Sequence, residues 1–165
     1  MEQMLREVAC AILIDSSGQL LLQQRDNVPD IVYPGYVSLF GGHREPGETF
    51  LQCVVREIHE ETSCFFPPER FEHLVNCNRS DPEVAGSTVQ GEFFVLNGVA
   101  TELLIITEGS LLICKPSELG SLERKLTPLS RFALDTFFER TRPFSKGRDL
   151  SASWAAYARG RREIS

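Results

Sequence analysis

Apolar positions fall in short blocks separated by polar breaks that carry Gly or Pro. Residues 8–14, VACAILI, form an unbroken apolar run, the pattern of a central strand buried on both faces. Asp15, Ser16, Ser17 and Gly18 supply a turn, and residues 19–25 alternate imperfectly as the return arm of a hairpin. A loop with Pro29 and Pro34 follows over 27–35, and a short strand over 36–40 runs into Gly41. Residues 71–77 and 88–96 read as strands flanking a polar loop over 81–87. Asn97-Gly98 is a strong hairpin-turn signal, with 100–107 as the expected partner strand. Another short strand is expected over 110–114, a helical turn over 116–119, and a last helix beginning at Thr127 or Ser130. Phe132, Leu134, Phe137 and Phe138 give that helix its apolar contacts.

Between these strands the period changes from two to that of a helix. Thr49 is positioned as an N-cap, and Gln52 three residues on completes a capping box. Leu51, Val54, Val55 and Ile58 then make one apolar stripe. At about 100° per residue, Glu57, Glu60 and Glu61 group on a different side. Pro67 and Pro68 bar any continuation. The whole reads as a mixed sheet with a central helix and a C-terminal helix.

Composition narrows the class. At 165 residues the chain has room for one domain with a real core, and 42% apolar with 24% charged residues is ordinary globular content. Cysteines at 10, 53, 64, 77 and 114 are odd in number and form no CxxC pair, which points to free thiols in a reducing cytoplasm. Cys10 and Cys53 sit in apolar patterns and read as core. His43, His59 and His73 lack zinc-site spacing, and His43 falls in the expected Gly-rich loop. No signal peptide is visible, and no apolar run approaches the ~20 residues of a membrane helix. A net charge of −6 argues against a general nucleic-acid surface. The charge is uneven: residues 142–165 balance at +4 and the rest at −10, which sets a tail over 142–165 apart from a domain over 1–141. Trp154 and Tyr157 either dock a short terminal helix on the body or on a second subunit, giving a homodimer, or belong to a mobile tail.

The carboxylates carry the chemistry. Three glutamates within one turn repel each other unless a cation sits among them, and oxygen ligands of this kind suit Mg²⁺. The competing reading is a solvated acidic face. Gly42, Gly47, Glu48 and Thr49 imitate a phosphate-binding loop, but Glu48 stands where lysine is needed, so that reading fails.

Residues 42–64 resemble the Nudix box: Gly, five residues, Glu, seven residues, then Arg-Glu-apolar-any-Glu-Glu-any-Gly-apolar. Here these are Gly42, Glu48, Arg56, Glu57, Ile58, Glu60, Glu61, Ser63 and Cys64, with Ser63 in place of the second glycine. The resemblance implies a Nudix hydrolase, an α/β enzyme with an α/β/α sandwich that uses Mg²⁺ (or Mn²⁺) to cleave a diphosphate linkage in a nucleoside diphosphate derivative. It implies Glu57, Glu60 and Glu61 as metal ligands, with the Gly41 carbonyl as another. Arg56 and Glu48 would brace them. Glu108, in Glu-Gly before a strand, resembles a further family carboxylate that binds metal or orients water; the alternative is a turn glutamate. Arg25 is either a surface residue or the basic group that the family often places near a substrate phosphate. Ser63 would cost ~1 kcal/mol at a left-handed helix exit but removes no ligand. The substrate reading stays open between a nucleoside triphosphate and a nucleotide sugar, because no tyrosine, proline or SQPWPFPxS subgroup signature follows the box. Phe40, Phe93, Phe94 and Tyr33 are the candidates to stack on a base, with a core role the simpler one for the phenylalanines. The rivals are a non-catalytic Nudix domain that senses a nucleotide or binds a partner, and an isomerase on the same fold. The intact box argues against both.

Overall fold

The computed structural model describes residues 3–122 and 124–141. The basic segment over 142–165, with Trp154, Tyr157 and any subunit contact through them, lies outside the described residues.

The described residues build a seven-stranded mixed sheet with one α-helix on each face. Strand β1 (Leu5–Asp15) is central, and it turns at Asp15 to Gly18 into β2 (Leu20–Gln24). The two arms pair only at Leu13 with Leu21 and Ile14 with Leu20, then diverge. The chain from 37 to 43 fills the fork. Its first piece, β3 (Val37–Ser38), pairs with β2, and after Leu39 its second, β4 (Phe40–His43), pairs with β1. The other edge of β1 pairs in parallel with β6 (Thr88–Val99), which is flanked in turn by β5 (Phe71–Ser80). The last strand, β7 (Ser110–Cys114), covers the other edge of β2.

Side chains alternate across β1, which therefore feeds two cores. Ala9, Ala11 and Leu13 meet Cys53, Val54 and Ile58 of α1 (Phe50–Thr62). Val8, Ile12 and Ile14 belong to the opposite core with Leu129, Ala133, Leu134 and Phe138 of α2 (Pro128–Thr141). Phe40, Phe93 and Phe94 are all buried in these cores. Helix α2 starts with proline at its first position, whose missing N–H costs nothing there. Ser130, inside that helix, accepts the backbone N–H of Leu39 at 3.0 Å and so fixes the break between β3 and β4. Among the described residues no helix is long and apolar enough to cross a membrane, and all five cysteines are free.

Two sequence expectations are corrected. The Gly41-Gly42 pair, with His43, is strand and not a turn or loop: Gly41 pairs with Cys10 and Gly42 with Ala9. The glycines are needed for close approach. A Cβ on Gly41 would lie 2.2 Å from the Ala9 carbonyl oxygen, and one on Gly42 would lie 2.5 Å from the Glu57 carboxyl carbon. The turn comes later, at Pro46-Gly47. Asn97-Gly98 is also not a hairpin turn. Both lie within β6, where Gly98 takes a positive φ beside a register shift between Leu13 and Asp15. Both edges of β6 are already occupied, so 100–107 has no strand to pair with. It forms a 3-10 turn (Thr101–Leu103) and then an extended run.

Candidate active site

Helix α1 begins as its sequence dictates. The Thr49 hydroxyl accepts the N–H of Gln52 at 3.1 Å, and the Gln52 side chain accepts the N–H of Thr49 at 2.8 Å. A cap of this kind stabilises by about 1 kcal/mol and sets the rotation of every later side chain. The rotation differs from the simple stripe in one respect. Glu61 lies with Val54 and Ile58, at i, i+4 and i+7, on the face buried against the sheet, and only Glu60 points clearly outward. Glu61 is 7% exposed, whereas the side chains of Glu57 and Glu60 are 16% and 58% exposed. A solvated acidic face therefore describes Glu60 alone.

Arg56 is the hub of this region. Its Nε and Nη2 donate to Glu48 at 3.1 and 2.7 Å, and its Nη1 donates to Glu57 at 2.9 Å and Glu60 at 3.2 Å. Nη2 also donates to the His43 carbonyl, tying α1 to β4. The guanidinium holds the Glu48 carboxyl down to about 2. It does not do the same for Glu57. Burial outweighs Arg56 at Glu57 and raises its pKa. Burial also pushes Glu61 up to about 8, although the Gly41 N–H donates to its Oε2 at 2.9 Å, and the charges of Glu57 and Glu108 add to the rise. Negative charge is thus in excess here.

Glu108 arrives by a route that the sequence reading missed. The misread segment before it covers the last carbonyls of α1. Ile105 N–H bonds the Thr62 carbonyl and Thr107 N–H the Glu61 carbonyl, at 2.9 and 3.0 Å, while the Thr107 hydroxyl bonds the Glu60 carbonyl. Orphan carbonyls at a helix end require such partners. Ser63 ends the helix in the left-handed region (φ 59°), and its hydroxyl donates to the Ile105 carbonyl at 3.2 Å. Gln23, which sequence reasoning did not single out, completes the fixing. It is buried on β2, donates to the Glu108 carbonyl at 3.0 Å, accepts from Ser38 Oγ at 3.4 Å and acts on the Glu61 carboxyl to lower its pKa. The signal for it is a polar residue in a strand otherwise buried, LLLQQ.

Gly41, Gly42, Glu57, Glu60, Glu61 and Glu108 line one end of a cleft of about 670 Å³, and Arg25 lines it too. The Arg25 guanidinium donates from Nε to the Val32 carbonyl and makes no ion pair among the described residues. His43 lies on the same wall, while His59 and His73 are exposed elsewhere. Among the described residues no three His, Cys, Asp or Glu side chains converge tightly enough to form a ready-made ion cage. The donor set nevertheless fits a hard divalent cation: oxygen ligands only, among them Glu61 and the partly buried Glu57, whose pKa values burial raises and neighbouring carboxylates raise further.

The family profile described as NUDIX domain matches residues 4–146. The E. coli ORF135 protein, known as a solution structure, is 26% identical, with a TM-score of 0.64 over 87% of this chain and 96% of that one. The MutT NUDIX hydrolase from Burkholderia pseudomallei is 22% identical, with a TM-score of 0.65 over 81% of this chain and 98% of that one. The MutT protein from Methanosarcina mazei Go1 is 19% identical, with a TM-score of 0.69 over 86% and 99%. The likeness to the last two is one of fold.

Proposed function

The chain belongs to the NUDIX domain family and is a Nudix-type pyrophosphohydrolase, and from that premise we propose that it cleaves the diphosphate linkage of a nucleoside triphosphate or nucleotide sugar with Mg²⁺ or Mn²⁺ as cofactor. The observation that carries this reading is Glu61: a carboxyl buried to 7% exposure, fixed by the Gly41 N–H, beside further carboxylates and raised to about 8. A raised carboxyl of this kind beside further carboxylates in a cleft supports a functional site, and a bound cation would relieve it.

Glu57, Glu60, Glu61 and Glu108, with the Gly41 carbonyl, would hold the metal. A bound divalent ion supplies charge neutralisation on phosphate oxygens and lowers the pKa of water. The chain's own groups do the rest. Arg56 orients Glu57 and Glu60 and is itself anchored on Glu48. The N–H of Gly41 holds Glu61 in place, and Gln23 holds the Glu108 carbonyl. A glutamate of this set accepts the proton of the attacking water. Arg25 is placed to meet a phosphate oxygen. The five free thiols favour a cytoplasmic setting.

The test is a panel of nucleoside triphosphates and nucleotide sugars assayed for released phosphate or diphosphate. Turnover should stop in excess EDTA and return with Mg²⁺ or Mn²⁺. Undiminished turnover under chelation would remove the metal from the reading.

A further inference from the structure

The end of the cleft away from the carboxylates has a different chemistry. Arg6, Val8 and Cys10 alternate along β1 and face the cleft together. Cys10 pairs with Gly41. Arg6, four residues back, therefore lies roughly 13 Å along the strand from the glycine pair at ~3.3 Å per residue. Buried Val8, Leu39 and Leu129 line the cleft between, and His43, opposite Val8 on β4, lines it too. At the rim stands Tyr33, whose hydroxyl donates to the Pro82 carbonyl at 3.4 Å, between the neighbours Asp81 and Glu83.

Arg6 is held rigidly. Its Nε and Nη2 donate to Asp81 at 2.7 and 3.0 Å, and Nη2 donates also to Glu83 at 2.8 Å. Glu83 is fixed in turn by the Leu129 N–H at 3.1 Å. Two carboxylates thus neutralise the guanidinium, which makes it a poor receptor for phosphate. Its third nitrogen, Nη1, has no hydrogen-bond partner among the described residues, yet Arg6 lines the cleft. A fixed, charge-neutralised N–H with no acceptor suits a neutral carbonyl.

We propose that this end of the cleft is a nucleobase subsite in which Arg6 Nη1 selects bases with a carbonyl at purine C6 or pyrimidine C4 (guanine, hypoxanthine, uracil or thymine) over adenine and cytosine, which carry an amino group there, with Tyr33 covering the ring. It rests on the nucleotide reading above. An amino group in the carbonyl's place sets N–H against N–H and leaves a desolvated donor unpaired. The aromatic wall and the apolar side chains accept any base; the arginine makes the distinction.

The experiment compares pairs that differ in that group and in the proton on the adjacent ring nitrogen: ITP against ATP, and UTP against CTP, as kcat/KM with Mg²⁺. The oxo member should win by about tenfold or more, since a site built to hydrogen-bond one group rejects its analogue strongly. Arg6→Lys keeps a cation for Asp81 and Glu83 but removes the third nitrogen. The preference should then collapse toward unity, through KM more than kcat. Tyr33→Ala should raise KM for all four alike. Calorimetric binding of IMP against AMP and UMP against CMP reads the subsite without turnover, so an inactive preparation still decides it. Equal efficiencies, an amino preference, or a preference that survives in Arg6→Lys would overturn the subsite and leave the hydrolase standing. Oxo-selective binding without hydrolysis of any triphosphate would instead count against the triphosphate reading alone.

Discussion

Two arginines in this protein are shared among carboxylates, and the two clusters behave in opposite ways. Around Arg6, both carboxylates are bonded to the guanidinium. Asp81 has no exposed side-chain surface, and although burial alone would raise its pKa, the Arg6 bonds and local backbone N–H groups hold it below the ordinary carboxylate range. Around Arg56, charge is left over. Glu48 is pulled down, while burial raises Glu57 and Glu61. The difference is arithmetic and position. One guanidinium faces two acids at the first site. At the second, Arg56 bonds three, and Glu61 and Glu108 stand near without a cation of their own. A satisfied ion pair joins distant strands; an unsatisfied one is a site awaiting a ligand.

Breaking the satisfied cluster should cost the most stability. Asp81→Ala leaves Arg6 half-paired in a buried setting, and loss of one partner from such a pair costs about 3–5 kcal/mol. Urea unfolding should show a loss of that size in unfolding free energy, read as the midpoint shift multiplied by the m-value. A shift near zero would mean that Arg6 is anchored by Glu83 alone.

Breaking the unsatisfied cluster should cost activity instead. Glu57→Gln removes one of several repelling charges, so folding stability should hold or rise, while kcat falls by about 10²-fold or more, ~2.7 kcal/mol and upward. Glu69→Gln, on an exposed 3-10 turn, is the control expected to be silent. Equal, wild-type rates for both, with circular dichroism showing intact folds, would mean that α1 displays its acids to no purpose.

The clusters should also give opposite pH slopes. Asp81 has a depressed folded pKa, so its contribution is full above the unfolded value of 3.8 and is lost as pH falls through the folded one. Glu61 has a raised folded pKa, so the stability tied to its neutral form is full below 4.5 and is lost as pH rises toward about 8. In EDTA, thermal unfolding followed from pH 4.5 to 8 should show Tm falling by a few degrees, and Glu61→Gln should flatten the profile. An unchanged slope in that variant would assign the loss to another group.

Local features were readable from sequence, and long-range ones were not. Thr49 and Gln52 act on backbone groups within four residues, so the start of α1 could be read from their types alone. Arg6 and Asp81 are 75 positions apart, and nothing local marks them as partners. The hairpin expected at Asn97-Gly98 failed for a similar reason: turn chemistry was right, but both edges of β6 were already taken by β1 and β5. The glycine pair was misread because Gly41 and Gly42 serve close approach to Ala9 and Glu57, which only the folded sheet reveals. The helix period placed Glu61 among surface acids, since one residue's rotation separates the rim of a helix from its buried face.

The smallest effect is expected at Ser63, and it separates backbone strain from charge strain within α1. The residue takes a left-handed conformation at φ 59° and ψ 13°, which costs a non-glycine residue about 1 kcal/mol relative to glycine. Glycine would remove that strain. It would also remove the hydroxyl that donates to the Ile105 carbonyl at 3.2 Å, an exposed bond worth about 0.5 kcal/mol at such a site. The Ser63 N–H bond to the His59 carbonyl is a backbone contact and survives. Ser63→Gly should therefore gain only about 0.5 kcal/mol, the difference between these two terms. Because Ser63 lies beyond the last carboxylate and contacts none of them, kcat should stay at its wild-type value. A gain well above 1 kcal/mol would place the helix's main strain at its exit rather than among its carboxylates. A fall in kcat would show instead that the Ser63–Ile105 bond helps the 104–108 segment hold Glu108 in the cleft.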